Sequence, residues 1–142
     1  MYAKINIKEG ILLYNIDTIL QNMIVGKKGY IPMSKSQMLK GILEGCLLAI
    51  ISKGEIYGYE MIEKLQAYGF TMISEGSIYP VLLRMKKEEL VSVETKASPS
   101  GPKRKYYSLT DKGHKVLDEF ADTWTELATS VHCLLKDVEE EK

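Results

Sequence analysis

Ser74-Glu-Gly-Ser-Ile-Tyr-Pro-Val-Leu-Leu-Arg-Met-Lys-Lys87, followed after a short break by Gly101-Pro-Lys-Arg-Lys-Tyr-Tyr-Ser-Leu-Thr-Asp-Lys-Gly113, decides how this chain folds. The first stretch opens at Ser74 or Glu75 and ends in cations, the polarity that suits a helix dipole. Pro80 lies inside it, and proline is tolerated only in a first turn. The regular helix is therefore expected from about Ser77, with Ile78, Leu82, Leu83 and Met85 turned inward. Between the two stretches, Leu90-Val-Ser-Val-Glu-Thr95 alternates as a strand does. Lys96-Ala-Ser-Pro-Ser-Gly-Pro-Lys103 has turn composition. Lys105-Tyr-Tyr-Ser-Leu109 is the returning strand.

Working backwards, Met33 to Lys53 reads as one helix. Met38, Leu39, Ile42, Leu43, Cys46, Leu47, Ile50 and Ile51 recur at three- and four-residue steps. Ser34 or Ser36 is placed to cap it, and Gly54 to end it. Tyr57 to Tyr68 is a shorter helix with Met61, Ile62 and Leu65 on its apolar face, stopped by Gly69. Working forwards, Thr110 is an N-cap with Asp111 behind it. Beyond it Val116, Phe120, Trp124, Leu127, Val131, Leu134 and Val138 recur at nearly coiled-coil spacing. At about 1.5 Å per residue, Thr110 to Val138 runs roughly 40 Å, too long for so small a domain to cover. The expected fold is mainly α with a small β-hairpin. It is a winged helix-turn-helix followed by a long C-terminal dimerisation helix.

At 142 residues the chain has the length of one domain, and 45% hydrophobic residues are enough for a core. The net charge is zero, yet the charge is divided. Met33 to Val116 carries 13 Lys and Arg against 9 Asp and Glu, and Leu117 to Lys142 carries 2 against 8. A basic front and an acidic rear suit a body that meets phosphate on one side. Cys46 and Cys133 stand far apart without metal-ligand spacing, which points to a reducing cytoplasm and no zinc or other cofactor. His114 and His132 lack a nucleophile or metal partner at useful spacing, so an enzyme is not expected. No membrane association is expected either. The apolar run in Gly10–Val25 is broken by Asn15, Asp17, Gln21 and Asn22, and a spanning helix needs about 20 mostly apolar residues.

The proposed division is 1–32 as an N-terminal extension, 33–109 as the DNA-binding unit, 110–138 as the dimer helix and 139–142 as an acidic tail. Residues 1–32 admit two readings. Lys27-Lys28-Gly29 codons are purine-rich and can spell a ribosome-binding site ahead of a natural start at Met33. Alternatively, the segment is a genuine extra helix that packs on the dimer.

Three motifs carry a resemblance. Tyr57-Gly58-Tyr59-Glu60, Gly76-Ser77-Ile78-Tyr79-Pro80 and the run from Gly101 to Gly113 stand in the order and spacing found in the PadR family of bacterial winged-helix regulators. The chain resembles the short branch of that family, without a separate C-terminal domain. The resemblance implies a repressor that binds a double-stranded operator with two-fold symmetry as a homodimer, and that a small-molecule effector releases. The candidate DNA contacts are Tyr57, Ser74, Gly76, Ser77, Tyr79, Pro80, Arg84, Lys103, Arg104 and Lys105. A helix N-terminus is itself an anion site, Gly76 lets backbone approach, and Ser77 and Tyr79 can bond phosphate or base. Arg84 has bidentate reach, or braces the fold. Three cations at the wing meet the backbone or the minor groove. The first two turns of the groove helix hold no Arg, Lys, Asn or Gln, so DNA shape is expected to share the specificity.

Candidate dimer residues are Leu43, Leu47, Phe120, Trp124, Leu127, Val131 and Leu134, the first helix packing on the partner's C-terminal one. Trp124 is also the candidate effector contact. It either holds the two helices apart, leaving a slot for an aromatic or hydrophobic ligand, or fills core near Leu43 and Leu47. The sequence departs from the family pattern at Arg84-Met85-Lys86, where Arg-Leu-Glu is usual, and at Glu89, where Gly is usual. The rival function is a winged-helix protein-interaction module without DNA binding.

Overall fold

The computed structural model describes Ile7–Lys8, Ile11–Leu12 and residues 35–142. The chain divides into two units, Met1–Ser34 and Lys35–Lys142. In the first, strands β1 (Ile7–Lys8) and β2 (Ile11–Leu12) pair antiparallel, Ile7 opposite Leu12. Most of 1–32, with both of its readings, lies outside the described residues.

In the second unit the elements run α1 (Lys35–Lys40), α2 (Leu43–Ile51), β3 (Ile56–Tyr57), α3 (Gly58–Ala67), α4 (Glu75–Lys87), β4 (Val91–Ser98), β5 (Gly101–Leu109) and α5 (Asp111–Glu140). This is a three-helix unit, a hairpin and a long final helix. The helix expected over Met33–Lys53 is two helices. At Gly41 and Ile42 the amides bond back three residues, to Met38 O and Leu39 O, instead of four. The tightened turn falls at the one glycine between α1 and α2, where helix continuation is weakest.

The core is a single cluster in which Leu47, Leu48, Ile51, Ile56, Met61, Leu65, Ile78, Leu82 and Met85 are essentially sealed from solvent. Periodicity named most of them. It misplaced Leu83, which is 71% exposed and points away from the core beside a fully buried Leu82. The two side chains are about 100° apart around the helix, and on α4 the face of Leu82 meets the core while that of Leu83 meets solvent.

The sheet has three strands in the order β3-β5-β4, not the bare hairpin expected. The added strand is only Ile56–Tyr57, too short for alternation to reveal, and it pairs Ile56 with Tyr107 and Tyr57 with Tyr106. The hairpin strands are also longer than their composition suggested. Lys96 is paired with Arg104 and Ser98 with Gly101, with a register shift between. Lys103, Arg104 and Lys105 therefore lie along β5 and not at a loop tip.

Helices α3 and α4 end alike. After α3, Gly69 adopts φ +100°, Phe70 N–H bonds Leu65 O at 3.0 Å, and Gly69 N–H bonds Gln66 O at 2.9 Å. After α4, Leu90 N–H bonds Met85 O at 2.9 Å and Glu89 N–H bonds Lys86 O at 3.1 Å. Both are Schellman ends, with a buried apolar pair, Leu90 and Met85, across the second. The left-handed position there is filled by Glu89, at φ 60°. A side chain at that φ is strained where glycine would not be. Glu89→Gly should raise stability by about 0.5–1 kcal/mol after the greater entropy of the unfolded glycine is deducted. Urea denaturation checks this, and a loss of stability would show that Glu89 is held by something other than the turn.

Candidate nucleic-acid interface

Helix α4 begins two residues earlier than its proline suggested. Ser74, with φ −134° and ψ 172°, is the N-cap, and Glu75 is the first helical residue. Pro80 is then in the second turn, where the carbonyl of Gly76 loses its usual donor. Gly76 and Pro80 are both exposed, so the free carbonyl is open to water. Ser74 Oγ makes no capping bond and lies 3.3 Å from Ser77 Oγ. The first-turn amides and two hydroxyls thus converge at one exposed helix end. Glu75 stands there too, and its carboxylate opposes any anion that approaches.

Tyr79 is 44% exposed and its ring lies across the start of α3. A Cβ on Gly58 would come within 2.8 Å of the Tyr79 hydroxyl. Gly58 therefore sets how closely α4 docks on α3. The tyrosine-glycine motif contained this residue, but nothing in composition assigned it that role. Burial, with Tyr79 close by, pushes the Tyr107 hydroxyl above the usual tyrosine range. Both rings thus share the junction of α3, α4 and the sheet.

Arg84 has a partner within the protomer. Its guanidinium donates to Glu44 Oε2 through Nη2 at 2.5 Å and Nε at 3.1 Å, tying α4 to α2. The hydrogen bond to Glu44 raises the Arg84 pKa further. Glu44 carried no signal in sequence, because the pairing spans 40 residues.

On β5 the three cations separate. Lys105 alternates onto the face that carries the buried Tyr107, and Lys103 falls in the register shift; both are exposed. Arg104 turns to the other face, its guanidinium carbon 4.5 Å above the Tyr57 ring. Tyr57 packs edge-on to Tyr106 at 5.6 Å, and Lys96 lies 5.3 Å from the Tyr106 ring. Lys96 also donates to Glu55 at 2.7 Å, and that bond raises its pKa. Arg104 and Tyr57 thus form a stacked patch behind the strand, while Lys103 and Lys105 make no side-chain ion pair among the described residues.

The final helix is capped as expected, with Gly113 N–H donating to Thr110 Oγ1 at 3.0 Å. Its root rests on the domain. Val116 and Leu117 pack on the core, and Phe120 lies so close to Gly45 of α2 that any side chain there would collide with its ring. Beyond Phe120 the apolar stripe is bare. Trp124, Leu127, Val131, Leu134 and Val138 are 46–66% exposed. Leu43 and Leu47 do not join it. They are 7% and 0% exposed within the protomer's own core. Among the described residues no group of His, Cys, Asp and Glu is arranged to hold a metal ion, and no helix is long and apolar enough to cross a membrane.

Residues 47–119 match the family model described as the transcriptional regulator PadR-like family. Among solved structures, the chain is similar to a PadR-like transcriptional regulator from Bacillus cereus. That protein is 60% identical with a TM-score of 0.64, and the match covers 70% of this chain and 96% of that one. A Streptococcus transcriptional regulator is 40% identical with a TM-score of 0.62, covering 69% of this chain and 96% of its own. A PadR-like transcription factor from Bacteroides fragilis is 41% identical with a TM-score of 0.60, covering 70% and 96%. A curated relative, an uncharacterised protein of Lysinibacillus sphaericus, is 28% identical over 109 residues, 75% of this chain and all of that one.

Proposed function

The chain belongs to the PadR-like family of transcriptional regulators, and from that premise we propose that it is a dimeric repressor of a two-fold symmetric DNA operator, released by a flat hydrophobic effector. Residues 33–109 are the DNA-binding unit, 110–138 the dimer arm and 139–142 an acidic tail, with 1–32 an N-terminal extension. The observation that carries the reading is the bare stripe from Trp124 to Val138. It lies on a helix that continues for about 30 Å past Phe120, and a second copy of the same stripe covers it. Dimerisation then sets two α4 helices for successive major grooves, about 34 Å apart. The first turn of α4 meets phosphate through Ser74, Ser77 and the backbone at Gly76, with Tyr79 and Pro80 beside them. Lys103 and Lys105 add phosphate contacts from the wing. Arg104 and Tyr57 act behind the strand, and Arg84 acts through Glu44.

One observation favours a protein partner in place of DNA. Glu75 stands at the end of α4, and no Arg, Lys, Asn or Gln occupies residues 75–81. Salt separates the two. With a site selected from random-sequence duplex, Lys103→Ala and Lys105→Ala should each lower the slope of log affinity on log salt by about one. Binding that ignores salt would instead support the protein-partner reading.

Dimerisation is tested apart from DNA. Leu127→Asp would bury an unpaired charge in the seam, a penalty of several kcal/mol. Sedimentation should show monomer with the helical signal of the domain retained, and a persistent dimer would move the interface elsewhere.

The effector reading rests on Trp124, half exposed on the stripe and facing its twin across the dimer axis. Planar hydrophobic dyes should quench its fluorescence with saturation near one ligand per dimer. The ligand affinity should fall in Trp124→Ala while the dimer persists. Undiminished affinity in that variant would place the effector elsewhere.

A further inference from the structure

The C-terminal end of α4 and the first turn of α5 are 20 residues apart in sequence and bonded directly. Lys112 Nζ donates to Glu88 O at 2.7 Å, Thr110 Oγ1 to Glu89 O at 2.6 Å, and Thr110 N–H to Leu90 O at 3.1 Å. A helix leaves its last carbonyls without intrahelical donors. The Schellman turn satisfies those of Met85 and Lys86, and Thr110 and Lys112 satisfy those of Glu88, Glu89 and Leu90. The Thr110 hydroxyl works twice, since it also accepts from Gly113 N–H at 3.0 Å. Gly113 closes the joint: a Cβ there would strike the Leu90 carbonyl oxygen. The Lys112 ammonium also sits where the dipole of α4 is negative.

A second tie lies further along both helices. Glu44 of α2 holds Arg84 of α4, and the adjacent Gly45 receives Phe120 of α5. Helix α2 is thus a strut between the two. The first joint is at the root of α5, and the second is nine residues, about 14 Å, further out. Two ties at separated points prevent rotation about either one.

We infer that Thr110, Lys112 and Gly113 are positioning residues that lock the groove helix α4 to the root of α5, so that the two move as one lever. Thr110 is the single residue between β5 and α5. Without the latch it would be the natural hinge. With it, displacement of the bare distal half of α5 is carried to the exposed end of α4 without loss. This deepens the proposed repressor reading: an effector at the stripe changes groove spacing by tilting rigid levers, and no segment has to unfold.

The experiment reads the lever inside one protomer. Nitroxide labels are placed on Glu75→Cys and Asp122→Cys in a Cys46→Ala, Cys133→Ala background. Labelled chain is diluted into unlabelled chain, and the spin–spin distance is measured by pulsed dipolar spectroscopy. The otherwise unaltered latch should give one narrow distance. Thr110→Val and Lys112→Met should each lose it to a broad distribution, while circular dichroism retains the helical content. Thr110→Ser, which keeps the hydroxyl, should restore the narrow distance. Gly113→Ala should displace it, and Lys112→Met remains informative if Gly113→Ala does not fold. A narrow, unshifted distance in both Thr110→Val and Lys112→Met would overturn the inference, even where melting temperature falls. The measurement does not depend on dimerisation or DNA. A monomeric protein would defeat the repressor reading while leaving the latch intact, and an unlatched dimer would do the reverse.

Discussion

Two backbones touch where Gly113 passes the Leu90 carbonyl, and the rest of the architecture depends on that approach. A side chain at Gly113 would lift α5 off the end of α4. Phe120 would then lose its seat on Gly45, and α2 would lose its contact with α5. The core itself is made of α2, α3, α4 and the sheet, and Val116 and Leu117 add only its margin. What the contact determines is direction. It sets the line along which about two thirds of α5 leaves the domain, and with it the geometry available to any second copy.

The order of elements was legible because each one carries its own local signal. Apolar periodicity marked α2, α3 and α4, alternation marked β4, and Thr110 marked the start of α5. The illegible parts depend on long-range partners. Strand β3 is two residues long and exists only because Tyr106 and Tyr107 are opposite it. The break at Gly41 interrupts a run of apolar residues whose spacing continues across it. Leu83 was drawn inward because a leucine beside a leucine carries no mark of which one faces the core.

The same distinction divides the candidate site. The exposed hydroxyls of Ser74 and Ser77 follow from their place at a helix start, which the sequence marks. The fates of the basic residues do not. Arg84 is claimed by Glu44, Arg104 by Tyr57 and Lys96 by Glu55, each across at least 40 residues of chain. Three adjacent cations looked equivalent as a string, yet period-two alternation and one register shift give Arg104 a different face from Lys105. Charge at this surface is therefore partly spent within the protein before any partner arrives.

The bare stretch of α5 has a thermodynamic consequence. Some 20 residues beyond Phe120 have no core of their own, and helices in proteins draw most of their stability from packing an apolar face. In the proposed dimer, the order of this segment and the association of two chains become a single equilibrium. Its midpoint then moves with protein concentration, as mass action requires. Dilution would fray the arm from its far end while the winged helix below remained folded. The cell's supply of chain would then set how much of it exists in a DNA-competent form.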